Sequence, residues 1–489
     1  MPKMPLWTFE EIGKALAAVP SLGHAHGAEA NNNPIFGISI DTRSLSAGDL
    51  FVALAGDQSD GHNYLEHAIS AGASAVLVER GHAQVDGLHE KYPNLAIFSV
   101  PNVLEGLTHL ARAARARSAA HIIAVTGSVG KTSVKEKLKA CLSRSGKTHA
   151  AEKSFNNHIG VPLTLARMPR DTDYGVFEIG MNHAGEISPL SQLVQPHVAI
   201  ITTIGTAHIE ALGSLEAIAD AKAEIFDGLI GDRVAILPAD SAFYEQLRNR
   251  ALSKDCQIVG FGASDDVDTY PVKIHKHQTC SCVDARVQGR AITYKVAEPG
   301  EHHILNSLAV LTAVNCIGAD LALAGLELAQ VEALSGRGQR HVIDFNDYSF
   351  TLVDESYNAN PTSMRAAITT LSNMRQAGGG RHIIVLGDMV ELGDMAQRLH
   401  EELADFINNE NIDFVYTCGL HMAALNAKLD GSKRGSHVDN PHALLPLLES
   451  EIRHNDVVMV KGSNSTRMGL IVDHFLSFVD PKTLQELGV

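Results

Sequence analysis

The segment His121–Ser133, HIIAVTGSVGKTS, constrains this chain more than any other. An apolar run of strand character enters a glycine-rich turn, and a helical stretch, VKEKLKACLSR, follows at once. A strand, a tight turn and a helix N-terminus together make an anion site, because unpaired N–H groups and the helix dipole converge there. Gly127 and Gly130 allow the backbone of Ser128, Val129 and Ser133 to approach a phosphate closely. Lys131 supplies a point charge for β- and γ-phosphates, and the Thr132 hydroxyl suits Mg²⁺. The spacing GxxGKT is shorter than the general GxxxxGK[ST], with Val125 where that pattern has its first glycine. A glycine turn capped by a threonine is the plainer alternative. The strand before it and the helix after it favour a nucleotide site.

The chain around this loop is long enough for about three domains of ordinary size. Its 489 residues carry 40 Lys and Arg against 56 Asp and Glu, a net charge of −16. Such an acidic chain is a poor general nucleic-acid binder, so an anionic substrate needs a locally basic pocket. The six cysteines include no CxxC pair and read as reduced thiols. The start, MPKMPLWTFEEIG, lacks the apolar core of a signal peptide. The most apolar stretch, Ile304 to Gly325, is interrupted by Asn306, Asn315 and Asp320 and reads as a buried helix rather than a membrane span. The 25 histidines are dispersed, and GHAHG at Gly23 to Gly27 reads as an exposed loop.

Three regimes follow along the chain. Residues 1–100 mix short apolar runs (Leu50 to Ala55, Ala75 to Val78, Ala96 to Val100) with Gly and Asp turns, which suggests a small α/β domain. Over residues 101–335, the runs HIIAVTG, YGVFEIG, VAIITTIG and DRVAILPAD alternate with helical patterns, as in a parallel sheet with crossover helices. Within it, Val267 to Val296 alternates and reads as antiparallel hairpins. The glycine-rich SGRGQR, Ser335 to Arg340, marks a boundary. Residues 336–489 start a new pattern with FTLVDES, HIIVLGDM, FVYTCG and DVVMVKGS, an open Rossmann-like sheet without GxGxxG.

Ligands in open α/β sheets sit at the carboxyl ends of strands. Glu178 ends YGVFEIG and His208 follows VAIITTIG, so both can converge with the phosphate loop and serve a metal ion. Taken singly, each is more often a solvated or capping residue. In SLEAIADAKAEIFDGL, Lys222 falls on the apolar stripe Leu215, Ile218, Ile225, Leu229 of a helix. On pattern alone a snorkelling lysine is the preferred reading. A functional lysine, its amine neutralised or modified, is the alternative.

TGSVGKTS, the GMNHAGEI after Glu178, TAHIE and AKAEIF together resemble the ATP-binding centre of the Mur ligases, the cytoplasmic enzymes that build the peptidoglycan precursor. IDTRSLSAGDLFVALAG and DGHNYLEHAISAGASAV resemble the family's UDP-binding domain. KSFNNHIGVPLTL, DESYNANPTSM, LGDMVELG and VKGSNSTRM resemble the branch that adds a D-alanyl-D-alanine dipeptide, and the DNPR-type motif of the diaminopimelate-adding branch is absent. The resemblance covers nearly the whole chain. It implies three domains: a UDP-sugar-binding α/β domain over 1–100, a central P-loop ATPase domain over 101–335, and a Rossmann-like domain over 336–489.

The resemblance also implies a reaction. ATP phosphorylates the terminal carboxylate of UDP-N-acetylmuramoyl-tripeptide, and the amine of D-alanyl-D-alanine attacks the acyl phosphate. By position, Lys131 holds phosphate, Thr132, Glu178 and His208 serve Mg²⁺, and Lys222 matches the lysine that the family carries as a carbamate. That match reverses the preference at Lys222. Asn306 is expected at the adenine. Arg337, Asp354, Tyr357, Asn358 and Asn360 are expected to reach the nucleotide from the C-terminal domain. Ser39, Asp41, Thr42, Arg43, Asn156 and Asn157 are expected to hold the UDP-substrate. Two positions depart from the family pattern: His303 stands for the first Asn of GxHNxxN, and Pro238 precedes Ala239 and Asp240 where an Asn is common. A cytoplasmic monomer is expected, with no membrane span and no nucleic-acid partner.

Three other readings compete. A ligase adding a single amino acid lacks support from YNANP and LGDMVELG. A folylpolyglutamate synthase would not carry the UDP-binding domain. A regulatory module that has lost catalysis would be expected to lose Lys131, Glu178 or His208, and all three are present.

Overall fold

The computed structural model describes residues 4–17, 24–26, 34–56, 59–152, 154–374 and 378–479. They form three sheets, of five, nine and six strands. The first runs His24–His26, Ala96–Val100, Ala75–Glu79, Leu50–Val52, Ile38–Ser39. The three apolar runs of the N-terminal region are its central parallel strands, nearly every residue buried, as strands covered on both faces must be. The helix Val103–Ala116, capped by Asn102, lays Leu107 and Leu110 against this sheet. GHAHG is not simply an exposed loop: His24–His26 pairs antiparallel with Ala96–Val100, while Gly23 and Gly27 lie outside the described residues. The free edge of an apolar strand accepts a partner through backbone groups, which side-chain patterning does not announce.

The nine-stranded sheet runs Arg290–Val296, Ser281–Val287, Thr269–Lys276, Gln257–Phe261, Val234–Pro238, Val198–Ile201, His121–Thr126, Tyr174–Glu178, Thr148–Ala150. The three strands from Thr269 to Val296 are antiparallel neighbours, as their alternation predicts. They do not stand apart, because Phe261 pairs with Thr269 and joins them to the parallel part. The chain leaving His121–Thr126 runs to the Thr148–Ala150 edge, and the chain leaving Val198–Ile201 runs the other way to Val234–Pro238. Two neighbouring strands whose connections diverge open a crevice at their carboxyl ends. The phosphate loop and the 202–208 loop border that crevice.

The apolar stretch after Gly300 is two helices rather than one, Glu301–Cys316 and Leu321–Glu327. Gly318 turns left-handed (φ 70°), and the Asp320 carboxylate then caps the second helix by accepting from Ala322 and Leu323 N–H. Among the described residues no helix is long and apolar enough to cross a membrane. The Lys222 stripe also changes pitch. Leu215–Ala223 is α-helical, and Glu224–Gly228 tightens to a 3-10 turn that still buries Ile225.

The six-stranded sheet runs Gln339–Phe345, Tyr348–Glu355, Val457–Lys461, His382–Gly387, Phe414–Cys418, Arg434–Val438. The four apolar runs seen in the sequence are its core. The two further strands sit at its edges: Gln339–Phe345 alternates buried and exposed residues, and Arg434–Val438 is half-solvated. Asn360–Pro361 is a helix start rather than a free turn. The Asn360 side chain accepts from Ser363 N–H, Ser363 Oγ accepts from Asn360 N–H, and Pro361 opens the helix Pro361–Ser372.

Candidate active site

The phosphate loop is held from one side by the 202–208 loop. Thr202 Oγ1 donates to Val129 O at 2.5 Å. Ser128 Oγ donates to Gly205 O and accepts from Gly205 N–H, both at 2.9 Å. Gly127 (φ 147°) passes so close to Thr202 that a Cβ there would lie 1.9 Å from Thr202 Oγ1. Gly130 (φ 89°) hands the chain to the helix Lys131–Ser143, whose first N–H groups face the turn. Lys131 Nζ donates to Gly127 O at 2.7 Å, curled over the loop it would serve. Burial lowers the Lys131 pKa, and Glu178 opposes that shift.

Behind the lysine, Thr132 Oγ1 donates to Glu178 Oε2 at 2.8 Å and Asn156 Nδ2 donates to Glu178 Oε1 at 2.7 Å. Ser154 Oγ lies 3.3 Å from Thr132 Oγ1. Glu178 is buried with a hydroxyl and an amide on its oxygens, and no ion pair forms to it among the described residues. A buried carboxylate without a cation is costly.

These groups open into a cleft of about 270 Å³ between the central and C-terminal sheets. Ser128, Val129, Gly130, Lys131, Thr132 and Ser133 line one wall, with Asn156, Glu178 and His208. Asn306 comes from the helix Glu301–Cys316, its amide against Gly130. Arg337, Tyr357, Asn358 and Asn360 form the opposite wall, with the Arg337 guanidinium 4.3 Å above the Tyr357 ring. Sequence reasoning missed Ser154, His302, Glu355 and Lys461, which also line the cleft.

Three expected residues are not among those that line it: Gly127, Asp354 and Lys222. The Asp354 carboxylate is spent on its own loop, accepting from Gly336 N–H at 2.6 Å and from Ser356 N–H and Oγ. Neighbours on a strand face opposite ways, so Glu355 takes the cleft side. It receives Lys461 Nζ at 3.1 Å. Lys222 is 1% exposed, which removes the snorkelling alternative. Burial first, and the like charge of Lys131 second, hold its amine well below the ordinary lysine value.

His303, where the family has Asn, lies with His302 at the junction of the cleft and a second chamber of about 250 Å³. Its Nδ1 is 3.3 Å from Glu298 Oε2, the oxygen that also binds Lys137 Nζ. Pro238 ends its strand and does not line the cleft.

The expected UDP-substrate residues do not gather in one place. Arg43 is 86% exposed and paired with Asp41 at 2.6 Å, and Ser39 Oγ donates to Asp41 O. Of this group only Asp41 lines a cavity of about 940 Å³ between the first sheet and the Thr148–Ala150 edge, while Ser39, Thr42 and Arg43 do not. Asn156 and Asn157 line a different cavity, of about 1110 Å³, that Lys131 and His208 also border. That cavity adjoins the nucleotide cleft through three shared residues, Lys131, Asn156 and His208.

Among the described residues one His and Asp cluster elsewhere has metal-like spacing, Asp60, His62 and His82. His62 Nε2 accepts from Glu79 N–H at 2.9 Å, so the ring proton sits on Nδ1, facing Asp60 Oδ1 at 2.7 Å. Both nitrogens are used, and a metal on Nδ1 would have to expel that proton. The group is a structural hydrogen-bond bridge.

Family models match in chain order: a Mur ligase family catalytic domain over residues 34–115, a Mur ligase middle domain over 125–314, and a Mur ligase glutamate ligase domain over 337–464. The chain is 34% identical to the UDP-N-acetylmuramoyl-tripeptide–D-alanyl-D-alanine ligase of Bacillus subtilis (strain 168), over 90% of this chain and 92% of that one. The chain belongs to the Mur ligase family. The enzyme of the same name from Escherichia coli (strain K12) is also 34% identical, over 89% and 92% of the two chains. Among solved Mur ligases, MurF from Acinetobacter baumannii superposes with a TM-score of 0.83 at 29% identity, over 98% of this chain and all of that one. MurF from Thermotoga maritima in complex with ADP shares the fold at TM-score 0.75 and 24% identity, over 90% and 97%.

Proposed function

We propose that this Mur ligase joins D-alanyl-D-alanine to UDP-N-acetylmuramoyl-tripeptide at the expense of ATP, in cytoplasmic synthesis of the peptidoglycan precursor. The observation that carries the chemistry is the cluster of buried Thr132 and Glu178 with half-buried Asn156 at the N-terminus of the phosphate-loop helix. Two relatives with 34% identity over about nine-tenths of the chain carry that activity in their names, which selects the acceptor.

The substrate carboxylate attacks the γ-phosphorus, the bond to the bridging oxygen breaks and ADP leaves. The amine nitrogen of the dipeptide then attacks the acyl carbon, inorganic phosphate departs, and the amine gives up a proton. Two anions must meet in the first step. Lys131, the loop N–H groups and the helix dipole lower that repulsion. Asn306 holds the base, Arg337 and Tyr357 close over the nucleotide, and Asn156 and Asn157 orient the substrate in the adjoining cavity. Asp354 acts by shaping the loop that carries Arg337. Asp41, Thr42 and Arg43 meet the uridine nucleotide once the Arg43–Asp41 pair opens.

The donor set fits Mg²⁺: a threonine hydroxyl, a buried carboxylate without a cation, and an imidazole. Thr132, Glu178 and His208 would hold it, and when bound it supplies screening of phosphate charge. Lys222 carries a carbamate, formed when its neutral amine adds CO₂ and releases a proton. The depressed pKa of a buried lysine that meets no opposite charge among the described residues supports this. The units run 1–100, 101–335 and 336–489, and the protein acts as a monomer.

Phosphate release measured with UDP-N-acetylmuramoyl-tripeptide and ATP tests the reading. Turnover with D-alanyl-D-alanine and none with single amino acids is expected. Equal turnover with a single amino acid would reassign the acceptor.

A further inference from the structure

The phosphate-loop side of the cleft receives a side chain from a loop of the C-terminal sheet that neither cleft wall accounts for. His208 Nδ1 lies 2.8 Å from Glu391 Oε2, across the gap between the two larger sheets. The approach is built at backbone level too. Glu210 N–H points at Glu391 O at 3.4 Å, and Gly393 packs so close that a Cβ would sit 2.9 Å from Glu210 Cγ. His208 and Glu391 both adopt left-handed backbone conformations, each with φ 63°, which cost free energy for residues with a Cβ.

The loop bearing Glu391 is tied down on its own side. Asp388 accepts from Met422 N–H at 2.8 Å, Met389 N–H donates to His400 Nε2 at 3.0 Å, and Val390 N–H donates to Ser463 Oγ at 3.0 Å. The loop bearing His208 is tied to the phosphate loop by the Ser128–Gly205 pair of hydrogen bonds. Among the described residues, two rigid loops therefore meet at one side-chain ion pair and one backbone hydrogen bond. The ion pair adds little stability, since the two side chains are 21% and 56% exposed. Two strained residues spent on such a contact call for another use.

We propose that Glu391 is a positioning residue for His208. Its carboxylate accepts a hydrogen bond from Nδ1–H, which keeps that proton on Nδ1 and leaves Nε2 as the ring nitrogen that serves the cleft, and it does so only when the C-terminal sheet has closed on the central one. A carboxylate behind an imidazole fixes both its tautomer and its orientation. Assembly of the phosphate-binding side thus depends on a residue 183 positions away in another sheet, counting from 208 to 391. The inference rests on the reading of His208 as a residue of the nucleotide and cation site.

The test compares Glu391→Ala with Glu391→Gln in the full-length protein. Glutamine keeps an oxygen that accepts from Nδ1–H, and alanine does not. With Mn²⁺ as the probe and ADP present, paramagnetic resonance should show an affinity about tenfold or more weaker in the alanine variant and within about threefold of the parent in the glutamine variant. The alanine variant should lose kcat by a similar factor, with KM for the UDP-substrate and the melting temperature unchanged. In ¹⁵N-histidine spectra, assigned with a His208→Asn variant, the Nδ1-protonated signal should persist in Glu391→Gln and be lost in Glu391→Ala. Parental Mn²⁺ affinity in Glu391→Ala would overturn the proposal, as would equal loss in the two variants. A parent that binds Mn²⁺ and ADP yet releases no phosphate would instead sink the ligase assignment, and the Mn²⁺ comparison would still stand.

Discussion

Lys137 and Lys222 lie on helices of the same central sheet, and both are buried. Their surroundings differ in one respect. Lys137 Nζ binds Glu298 Oε2, and His303 approaches the same oxygen. Among the described residues Lys222 meets no carboxylate, and the charge that bears on it is the ammonium of Lys131. Folding removes both amines from water, but only the first is repaid in charge. A buried pair is part of the architecture. A buried amine left alone gives up its proton, which makes it a nucleophile rather than a brace. The two lysines therefore predict opposite phenotypes.

The widest separation should appear in Lys222→Met. Turnover is expected to fall about 10³-fold if Lys222 carries the proposed carbamate, since that anion is then lost. The urea midpoint should hold or rise, because no charge is stranded. A short carboxylic acid in the assay should restore part of the rate to Lys222→Ala. Full activity in either variant would place Lys222 beside Lys137 as structural.

Lys137→Met should do the reverse. It leaves the Glu298 carboxylate buried without its lysine, at a cost of about 3–5 kcal/mol in urea unfolding. A loss of turnover at unchanged stability would break the contrast from the other side.

Acid denaturation reads the same pair with a smaller effect. Burial alone would raise the Glu298 pKa, but His303 and Lys137 hold it well below the ordinary glutamate value. The folded pKa lies below the unfolded one. Its contribution is therefore complete above the unfolded value, about 4.3, and is lost as pH falls toward the folded value. Glu298→Gln should flatten the stability profile below about pH 4.3, and an unchanged acid slope would remove the pair from the account.

The mildest case is Arg43, an exposed cation paired with Asp41. Arg43→Ala should shift unfolding by less than about 0.5 kcal/mol. KM for the UDP-substrate should rise about tenfold if the guanidinium binds the nucleotide, as loss of a charged hydrogen bond would give. An unchanged KM would show that this loop does not touch it.

The strand, loop and helix around Gly127 were legible because three local signals coincide within thirteen residues. The strands ending at Glu178 and Ile201 were legible from apolar runs, and so was their meeting at one crevice. The edge strands Gln339–Phe345 and Arg434–Val438 were not, because their pairing is carried by backbone groups on half-solvated chain. Choosing Asp354 over Glu355 depended on which face of a strand looks into the cleft, which one register step reverses. His302 and Lys461 lie inside the motifs GxHNxxN and VKGSNSTRM, and which side chain of a short motif faces the cleft is set by tertiary packing rather than by the motif. Glu391 needed tertiary contact, since nothing local to LGDMVELG points to His208.

The close passage of Gly127 over Thr202 bears on how freely this loop can vary. At φ 147° the backbone admits glycine almost alone. A side chain would also strike Thr202, whose backbone nitrogen would stand 3.1 Å from the new Cβ even if the hydroxyl were trimmed away. Two unrelated obstacles guard one position, so no single compensating change elsewhere can open it. Lineages of this sequence can explore the side chain at Val129, which is held through its carbonyl, but position 127 is a dead end for drift, and a randomised library should return glycine there whatever is allowed at 202.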